Sequence, residues 1–150
     1  MSIKVVVGGI IEKEGKFLLV KETKESCKNQ WNIPAGGLDD NESLVEGAKR
    51  EIFEETGCSV EIAGVIEIDN MILKDKTVIV FIFETKMINE SVKVDGKEIA
   101  DAKWFSYDEI LNMKDELREN GYYLGALKKK IDNKVLSMDV IESVRKGSAL

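Results

Sequence analysis

The pattern of hydrophobic and polar positions predicts strands in the first part of the chain. Apolar runs rich in β-branched residues occupy 3–11 and 16–20, and the Glu-Lys-Glu-Gly stretch between them is typical of a hairpin turn. Residues 22–41 are polar and contain the only proline, so they are predicted to form a loop around a short apolar segment at 31–33. Later apolar runs predict three more strands, near 60–68, 77–84 and 102–105.

One early helix is predicted where apolar residues change to helical spacing. It should begin at residue 42 or 43 and end at residue 56, with one apolar stripe formed by Val45, Ala48 and Ile52. Asp40 or Asn41 is expected to cap its start, because short polar side chains accept hydrogen bonds from the first free N–H groups. Gly57 is expected to end it.

The later part of the chain is predicted to be mainly helical. Helices are expected at 108–113 and 116–131, the second with an apolar side of Leu117, Leu124, Leu127 and Ile131. The tail from 133 to 150 is expected to hold one or two amphipathic turns through Val140, Ile141 and Val144. Strands, one early helix, more strands and then helices predict an α+β fold, with a mixed sheet covered by helices.

Length and charge restrict the class of protein. The 150 residues, without linker or repeat, predict one domain over 1–150, with 132–150 as a C-terminal extension of undetermined role. A formal net charge of −6 argues against stable nucleic-acid binding, which depends on Lys and Arg neutralising phosphates. An acidic protein that acts on a phosphate anion therefore needs a cation in its site.

The absence of histidine excludes imidazole chemistry, such as Ser-His-Asp triads and His-ligated zinc. Two cysteines are too few for a disulfide framework; Cys27 is interpreted as a loop thiol and Cys58 as a small buried hydrophobe. The first residues lack the order of a signal peptide, and their apolar run is too short to span a bilayer. A cytoplasmic location without membrane association is therefore expected.

Three glutamates on the early helix are the strongest candidates for chemistry. Glu51, Glu54 and Glu55 are spaced i, i+3 and i+4, so they project from one face within roughly 100° of arc. Like charges this close repel each other, and a hard divalent cation turns that repulsion into attraction. The same pattern on a solvated helix often has no function, so its setting in the sequence decides the interpretation.

That setting resembles the Nudix box, G-x5-E-x7-R-E-U-x-E-E-x-G-U, in which U is a bulky aliphatic residue. Seven fixed identities match at fixed spacing, from Gly36 through Glu42 to the run Arg50–Cys58, and Cys58 is the one departure, at the last aliphatic position. The resemblance extends over 14–20, 31–37 and 103–105. It implies a Nudix-type α/β/α sandwich with a loop–helix–loop catalytic motif between about residues 3 and 131.

The resemblance also implies roles for individual residues. Mg²⁺, with Mn²⁺ as a substitute, would be bound by Glu51, Glu54, Glu55, Glu98 and a backbone carbonyl near Gly36. Arg50 would orient neighbouring glutamates and the loop, and Glu42 would be structural. Glu98 lies where related proteins often carry an additional acidic ligand or base, with Asp101 as the competing candidate. The general base is left open among Glu54, Glu55 and Glu98, and Lys21 is a candidate phosphate contact.

The substrate is predicted more coarsely. A proline downstream of the box marks ADP-ribose enzymes and a tyrosine marks dinucleoside polyphosphate enzymes; neither stands there in this chain. The remaining resemblance is to the MutT-like branch acting on nucleoside tri- or diphosphates and related pyrophosphates. Phe81 and Phe83 are interpreted as core rather than base-stacking residues. The protein is expected to be a monomer or homodimer with a small-molecule substrate, and the rival hypothesis is a non-catalytic Nudix-fold nucleotide-binding regulator.

Overall fold

The computed structural model describes residues 2–141, 144–145 and 147, whose strands form two four-stranded sheets. The strands are β1 (Ser2–Ile10), β2 (Glu12–Lys13), β3 (Lys16–Glu22), β4 (Trp31–Asn32), β5 (Ala35–Gly37), β6 (Val60–Ile72), β7 (Lys76–Met87) and β8 (Ile99–Ser106). The helices are α1 (Leu44–Thr56), α2 (Tyr107–Asn112) and α3 (Leu124–Ile131). Short 3-10 turns lie at Glu25–Cys27, Lys114–Glu116, Arg118–Asn120 and Met138–Val140.

The first sheet is mixed and has the strand order β5-β1-β7-β6. Strands β1 and β7 run parallel, and the other pairs are antiparallel. In the second sheet β3 pairs antiparallel with β2, β4 and β8. Helices α1 and α3 pack on opposite faces of the mixed sheet, α1 beside Val7 and Phe83 and α3 beside Val80 and Ile82. The predicted α+β fold, with a mixed sheet between helices and a loop–helix–loop segment, is confirmed.

The predicted hairpin between 3–11 and 16–20 is wrong in its partners. The hairpin with β3 is formed by the short β2 and not by β1, through a turn in which Glu14 and Gly15 have φ values of 51° and 77°. Strand β1 crosses into the other sheet and lies between β5 and β7. Both faces of a central strand are buried, and the last four residues of β1, Val-Gly-Gly-Ile, are buried accordingly.

Helix α1 begins later than predicted. Ser43 is the capping residue, since its hydroxyl accepts a hydrogen bond from the Glu46 N–H at 3.1 Å. Asn41 adopts a left-handed conformation with φ 64°, which belongs to the preceding turn and is incompatible with the extended backbone of a cap. Gly57 ends the helix as predicted, in the left-handed conformation with φ 75°.

The helix predicted over 116–131 forms only from Leu124 onward. Glu119, Asn120 and Gly121 all have positive φ, and three left-handed residues in succession interrupt a right-handed helix. Leu117, between the two 3-10 turns, is nevertheless buried, because it packs in the core and forms a backbone bridge with Trp31.

The described part of the tail forms a 3-10 turn and a backbone bridge. Leu136 exchanges two hydrogen bonds of 2.9 Å with Val65, at the edge of the mixed sheet. Met138 and Ile141 pack on the face that α1 covers, whereas Val140 and Val144 are exposed, so only part of the predicted apolar side is buried. Within the described ranges, no helix is long and apolar enough to cross a bilayer.

Candidate active site

An open cavity of about 360 Å³ lies between the inner face of the mixed sheet, the C-terminal half of α1 and the 3-10 turn before α3. Its acidic lining residues are Glu22, Glu51, Glu54, Glu55, Glu98 and Glu119. Its basic lining residues are Lys4, Lys24, Lys76 and Arg118. An aliphatic surface formed by Val6, Met71, Leu73, Val78 and Val80 completes much of the wall. The cavity therefore combines carboxylates, cations and an apolar surface at one place.

Strand β5 brings the loop backbone against the glutamates of α1. The backbone N–H of Ala35 donates to Glu55 Oε1 at 3.0 Å, which holds the half-buried Glu55 beside β5. A Cβ atom on Gly36 would collide with the carboxylate of Glu51 in its present position, so the missing side chain of Gly36 lets this carboxylate lie against β5. Gly36 therefore lies directly beside two of the predicted metal ligands.

Arg50 positions the acidic residues around it. It donates to Glu42 through Nε at 2.6 Å and through Nη2 at 2.8 Å, and Nη2 also donates to the Gly37 carbonyl at 3.0 Å. Its Nη1 donates to Glu51 at 2.8 Å and to the more exposed Glu54 at 3.2 Å. Hydrogen bonding to Arg50 is the main reason that the pKa of Glu42 is lowered. Arg50 does not line the cavity, so we describe it as a positioning residue rather than a catalytic one.

The crowded carboxylates favour protonation in the absence of a cation. Burial is the main cause that raises the pKa of Glu55 to about 9, and the charges of Glu51, Glu22 and Glu98 add to it, against the Ala35 hydrogen bond. Burial likewise raises the pKa of Glu51, although Arg50 opposes the shift. A bound divalent cation would favour the ionised forms of both groups.

The donor set fits a hard cation by its chemistry. Glu51, Glu54, Glu55, Glu98 and the Gly36 backbone supply oxygen atoms to one cavity, and Mg²⁺ prefers oxygen ligands. In their present rotamers, no three acidic or thiol side chains of the described residues converge on one point. Glu51 is turned toward Arg50 and Glu55 toward Ala35, so binding requires carboxylate rotations within the cavity.

The competing candidates outside the box occupy different places. Glu98 lines the cavity from the loop before β8. Asp101 does not line it; its carboxylate accepts a hydrogen bond from its neighbour Ala102 at 2.8 Å and pairs with Lys103 at 3.8 Å. Lys21 is also outside the cavity, because its ammonium group lies over the Trp31 ring, 5.7 Å from the ring centre. We therefore do not retain Lys21 as a phosphate contact.

Sequence reasoning missed a buried polar network at the inner end of the cavity. Glu22 accepts hydrogen bonds from Cys27 at 3.1 Å, from Asn32 at 2.8 Å and from Arg118 at 2.5 Å. Tyr122 donates to the other end of the Asn32 amide at 3.1 Å. Cys27 is the predicted loop thiol, but it is buried and donates to Glu22, and Cys58 is buried as expected. Glu22 and Arg118 are 96 positions apart, and no local pattern signals their pairing.

Sequence reasoning also missed the lysines of the cavity, Lys4, Lys24 and Lys76. Lys4 lies on β1 and Lys76 begins β7, and the parallel pairing of these strands brings them together. Phe81 and Phe83 do not line the cavity; they pack in the core on the α1 side of the mixed sheet, as predicted.

Comparisons with known proteins agree with this architecture. The NUDIX domain profile matches residues 2–125. Phosphatase NudJ of Escherichia coli K12 is 40% identical over 110 residues, which cover 71% of each chain. A NUDIX hydrolase structure from Nitrosomonas europaea superposes with a TM-score of 0.84 at 28% identity, covering 94% of this chain and 97% of that one. The MutT protein structure from Methanosarcina mazei Go1 gives 0.75 at 29% identity, covering 88% and 96%. This chain therefore belongs to the Nudix hydrolase family.

Proposed function

We propose that the chain is a Mg²⁺-dependent hydrolase that cuts a phosphoanhydride bond in nucleoside tri- or diphosphates or related small pyrophosphates. The observation that carries the proposal is the shared cavity of Glu51, Glu54 and Glu55 from α1 and Glu98 from a distant loop. The similar protein NudJ is a phosphatase, and the cavity described here is large enough for a small ligand.

The residues share out the tasks in this proposal. Glu51, Glu54, Glu55 and the Gly36 carbonyl would hold Mg²⁺, or Mn²⁺ in its place, and Glu98 would act either as a further ligand or as the base. The bound cation would neutralise charge that develops on phosphate oxygens and lower the pKa of water. Arg50 would keep Glu51 and the 37–42 loop in position through its hydrogen bonds to Glu51, Glu42 and Gly37.

Glu98 is the candidate base that the contacts favour among Glu54, Glu55 and Glu98. The Glu54 carboxylate accepts a hydrogen bond from Arg50, and that of Glu55 accepts one from Ala35. The Glu98 carboxylate has no hydrogen-bond partner among the described residues and is exposed at the cavity. It is therefore free to take a proton from the attacking water.

A panel of phosphate-release assays tests the function. Canonical and oxidised nucleoside triphosphates, diphosphates, ADP-ribose and a thiamine-precursor pyrophosphate are incubated with the full chain in Mg²⁺, in Mn²⁺ and in EDTA. We expect release of phosphate or pyrophosphate from a nucleotide in Mg²⁺ and none in EDTA. Metal-dependent nucleotide binding without release from any substrate would instead support the rival function, a non-catalytic nucleotide-binding regulator. The intact set of box carboxylates argues against that rival.

A further inference from the structure

Three lysines form a curved group at the outer end of the cavity, which we call the cation arc: Lys4, Lys24 and Lys76. None of the three forms an ion pair with a described residue. Arg118, the other basic residue of the cavity, is by contrast paired with Glu22. The cation arc is therefore the part of the cavity whose positive charge is not matched by a neighbouring carboxylate.

The register of the mixed sheet fixes two members of the arc on its inner face. Ser2 pairs with Lys76 and Lys4 with Val78, so both lysines continue the row of side chains that includes the buried Val78 and Val80. Lys4 also lies beside β5, because its Cε and Nζ atoms are 3.3 and 3.9 Å from the position of a Cβ built on Gly37. The arc thus extends to the loop that carries Gly36.

The lysines are held together at an electrostatic cost. The pKa of Lys4 is lowered mainly by burial and then by the charges of Lys24, Lys76 and Arg118, while the charge of Glu51 opposes the shift. Like charges grouped around a cavity raise the local concentration of an anion and are relieved by its binding. An anionic group between the arc and the cation-binding glutamates would interact with both.

The inner end of the cavity offers little with which to distinguish nucleobases. The side-chain amide of Asn32 already donates one N–H to Glu22 and accepts from Tyr122, so its second N–H is the main donor left for a base. The neighbouring wall is aliphatic, formed by Val6, Met71, Leu73, Val78 and Val80. Such a surface covers the faces of different bases equally, because hydrophobic contact is not directional.

We propose that the cation arc binds the phosphate chain of the substrate beyond the metal, so that the site selects nucleotides by their number of phosphates rather than by their base. This inference rests on the proposed function, since it assigns the distal end of the same substrate. A nucleoside triphosphate would reach the arc with one more charged group than the corresponding diphosphate, and would bind more tightly for that reason.

The test measures binding rather than turnover. The full chain in Mg²⁺ is titrated with non-hydrolysable methylene-bridged analogues of one nucleoside triphosphate and its diphosphate, followed calorimetrically. Each lysine–phosphate contact at such a partly exposed site is worth about fivefold in Kd, so with contacts from both Lys4 and Lys76 we expect the triphosphate to bind about 25-fold more tightly than the diphosphate. Combined replacement Lys4→Gln and Lys76→Gln should reduce this ratio to near one.

Matched variants separate the arc from general charge and from misfolding. Lys13→Gln removes one charge, as each of the two arc replacements does, at an exposed site paired with Glu90, and should leave the ratio unchanged. Lys4→Arg keeps the charge and should therefore retain most of the preference for the triphosphate. Melting temperatures identify any variant that fails to fold. The inference is overturned if the ratio of the two Kd values in the double variant equals the ratio in Lys13→Gln. It is also overturned if the double variant loses affinity for both analogues by the same factor.

The outcome also distinguishes this inference from the proposed function. If the analogues bind with the expected ratio but no nucleotide is hydrolysed, the arc stands and the hydrolase assignment fails. If nucleotides are hydrolysed and the ratio is insensitive to the lysines, the hydrolase assignment stands and the arc fails.

Discussion

Replacing Arg50 by methionine tests whether this residue holds the acidic loop and helix together. The change keeps a long apolar side chain but removes the four hydrogen bonds donated to Glu42, Glu51 and the Gly37 carbonyl, at 2.6 to 3.0 Å. Glu42 and Glu51 are 13% and 14% exposed, so water replaces these hydrogen bonds only partly. The bond to Glu54 counts little, because that side chain is 54% exposed.

The expected loss of stability follows from these contacts. Hydrogen bonds to charged groups contribute about 1.5–3 kcal/mol each, and breaking a buried ion pair by removing one partner costs about 3–5 kcal/mol. Because Arg50 itself is 26% exposed, we discount these values and expect a decrease of about 3 kcal/mol in the free energy of unfolding. For a chain of this length the melting temperature should fall by about 6–12 °C.

Urea unfolding in EDTA measures this loss without interference from a bound cation. The matched control is Lys49→Met on the same helix, whose ion pair with Glu61 is exposed at both partners and should cost little. The pKa of Glu42 is lowered by its contact with Arg50. This contact therefore stabilises the folded protein fully above the ordinary carboxyl pKa, and the stabilisation is lost as the pH falls through the lowered value. The difference in free energy of unfolding between wild type and Arg50→Met should therefore become smaller on acidification. A loss no greater than that of Lys49→Met at neutral pH would refute this reasoning.

Three further predictions concern the chemistry. Glu54→Gln and Glu55→Gln each remove a proposed metal ligand, so each should lower turnover by at least about 10²-fold with the fold intact. Each should also abolish stabilisation by Mg²⁺ in thermal melts. Wild-type activity in both variants would exclude the metal assignment. Glu98→Gln should reduce kcat more than Asp101→Asn, since only Glu98 lines the cavity; the reverse order in steady-state kinetics would transfer the role to Asp101. Nucleoside tri- or diphosphates should be better substrates than ADP-ribose, and kcat/KM values for different bases should lie within about 10²-fold of each other. A kcat/KM for ADP-ribose ten times that of the best nucleotide would contradict this prediction.

The sequence alone determined the family and the chemical core of the candidate site. The spacing from Gly36 to Gly57 is local, and a helix places residues three and four apart on one face whatever surrounds it. The shared face of Glu51, Glu54 and Glu55 therefore follows from their spacing by itself. Gly57 is likewise predictable as the end of α1, because the left-handed conformation found there favours glycine.

Strand partners and long-range pairs required the tertiary structure. The apolar, β-branched-rich run shows that 3–10 is a strand, but such a run is compatible with pairing to 16–20 or to β7. The tertiary structure pairs it with β7, in the centre of a sheet whose two faces are buried. The break before α3 was missed because the apolar spacing of 117–131 is helical, although Asn120 and Gly121 form a dipeptide that favours a turn. The position of Lys21 at the end of a strand is compatible with a place in the cavity, but contact with the Trp31 ring holds it elsewhere.

The cavity contains both kinds of residue, those that local spacing predicts and those that only the tertiary structure brings together. Its carboxylates on α1 lie at neighbouring positions along the chain, so their chemistry can be inferred from local spacing. The grouping of its cations cannot, because Lys4 and Lys76 meet only through the parallel register of β1 and β7, and Arg118 meets Glu22 only where the segment before α3 closes on β3. Local geometry constrains residues within a few positions of each other, whereas contacts between distant residues depend on how strands are ordered and how helices cover them.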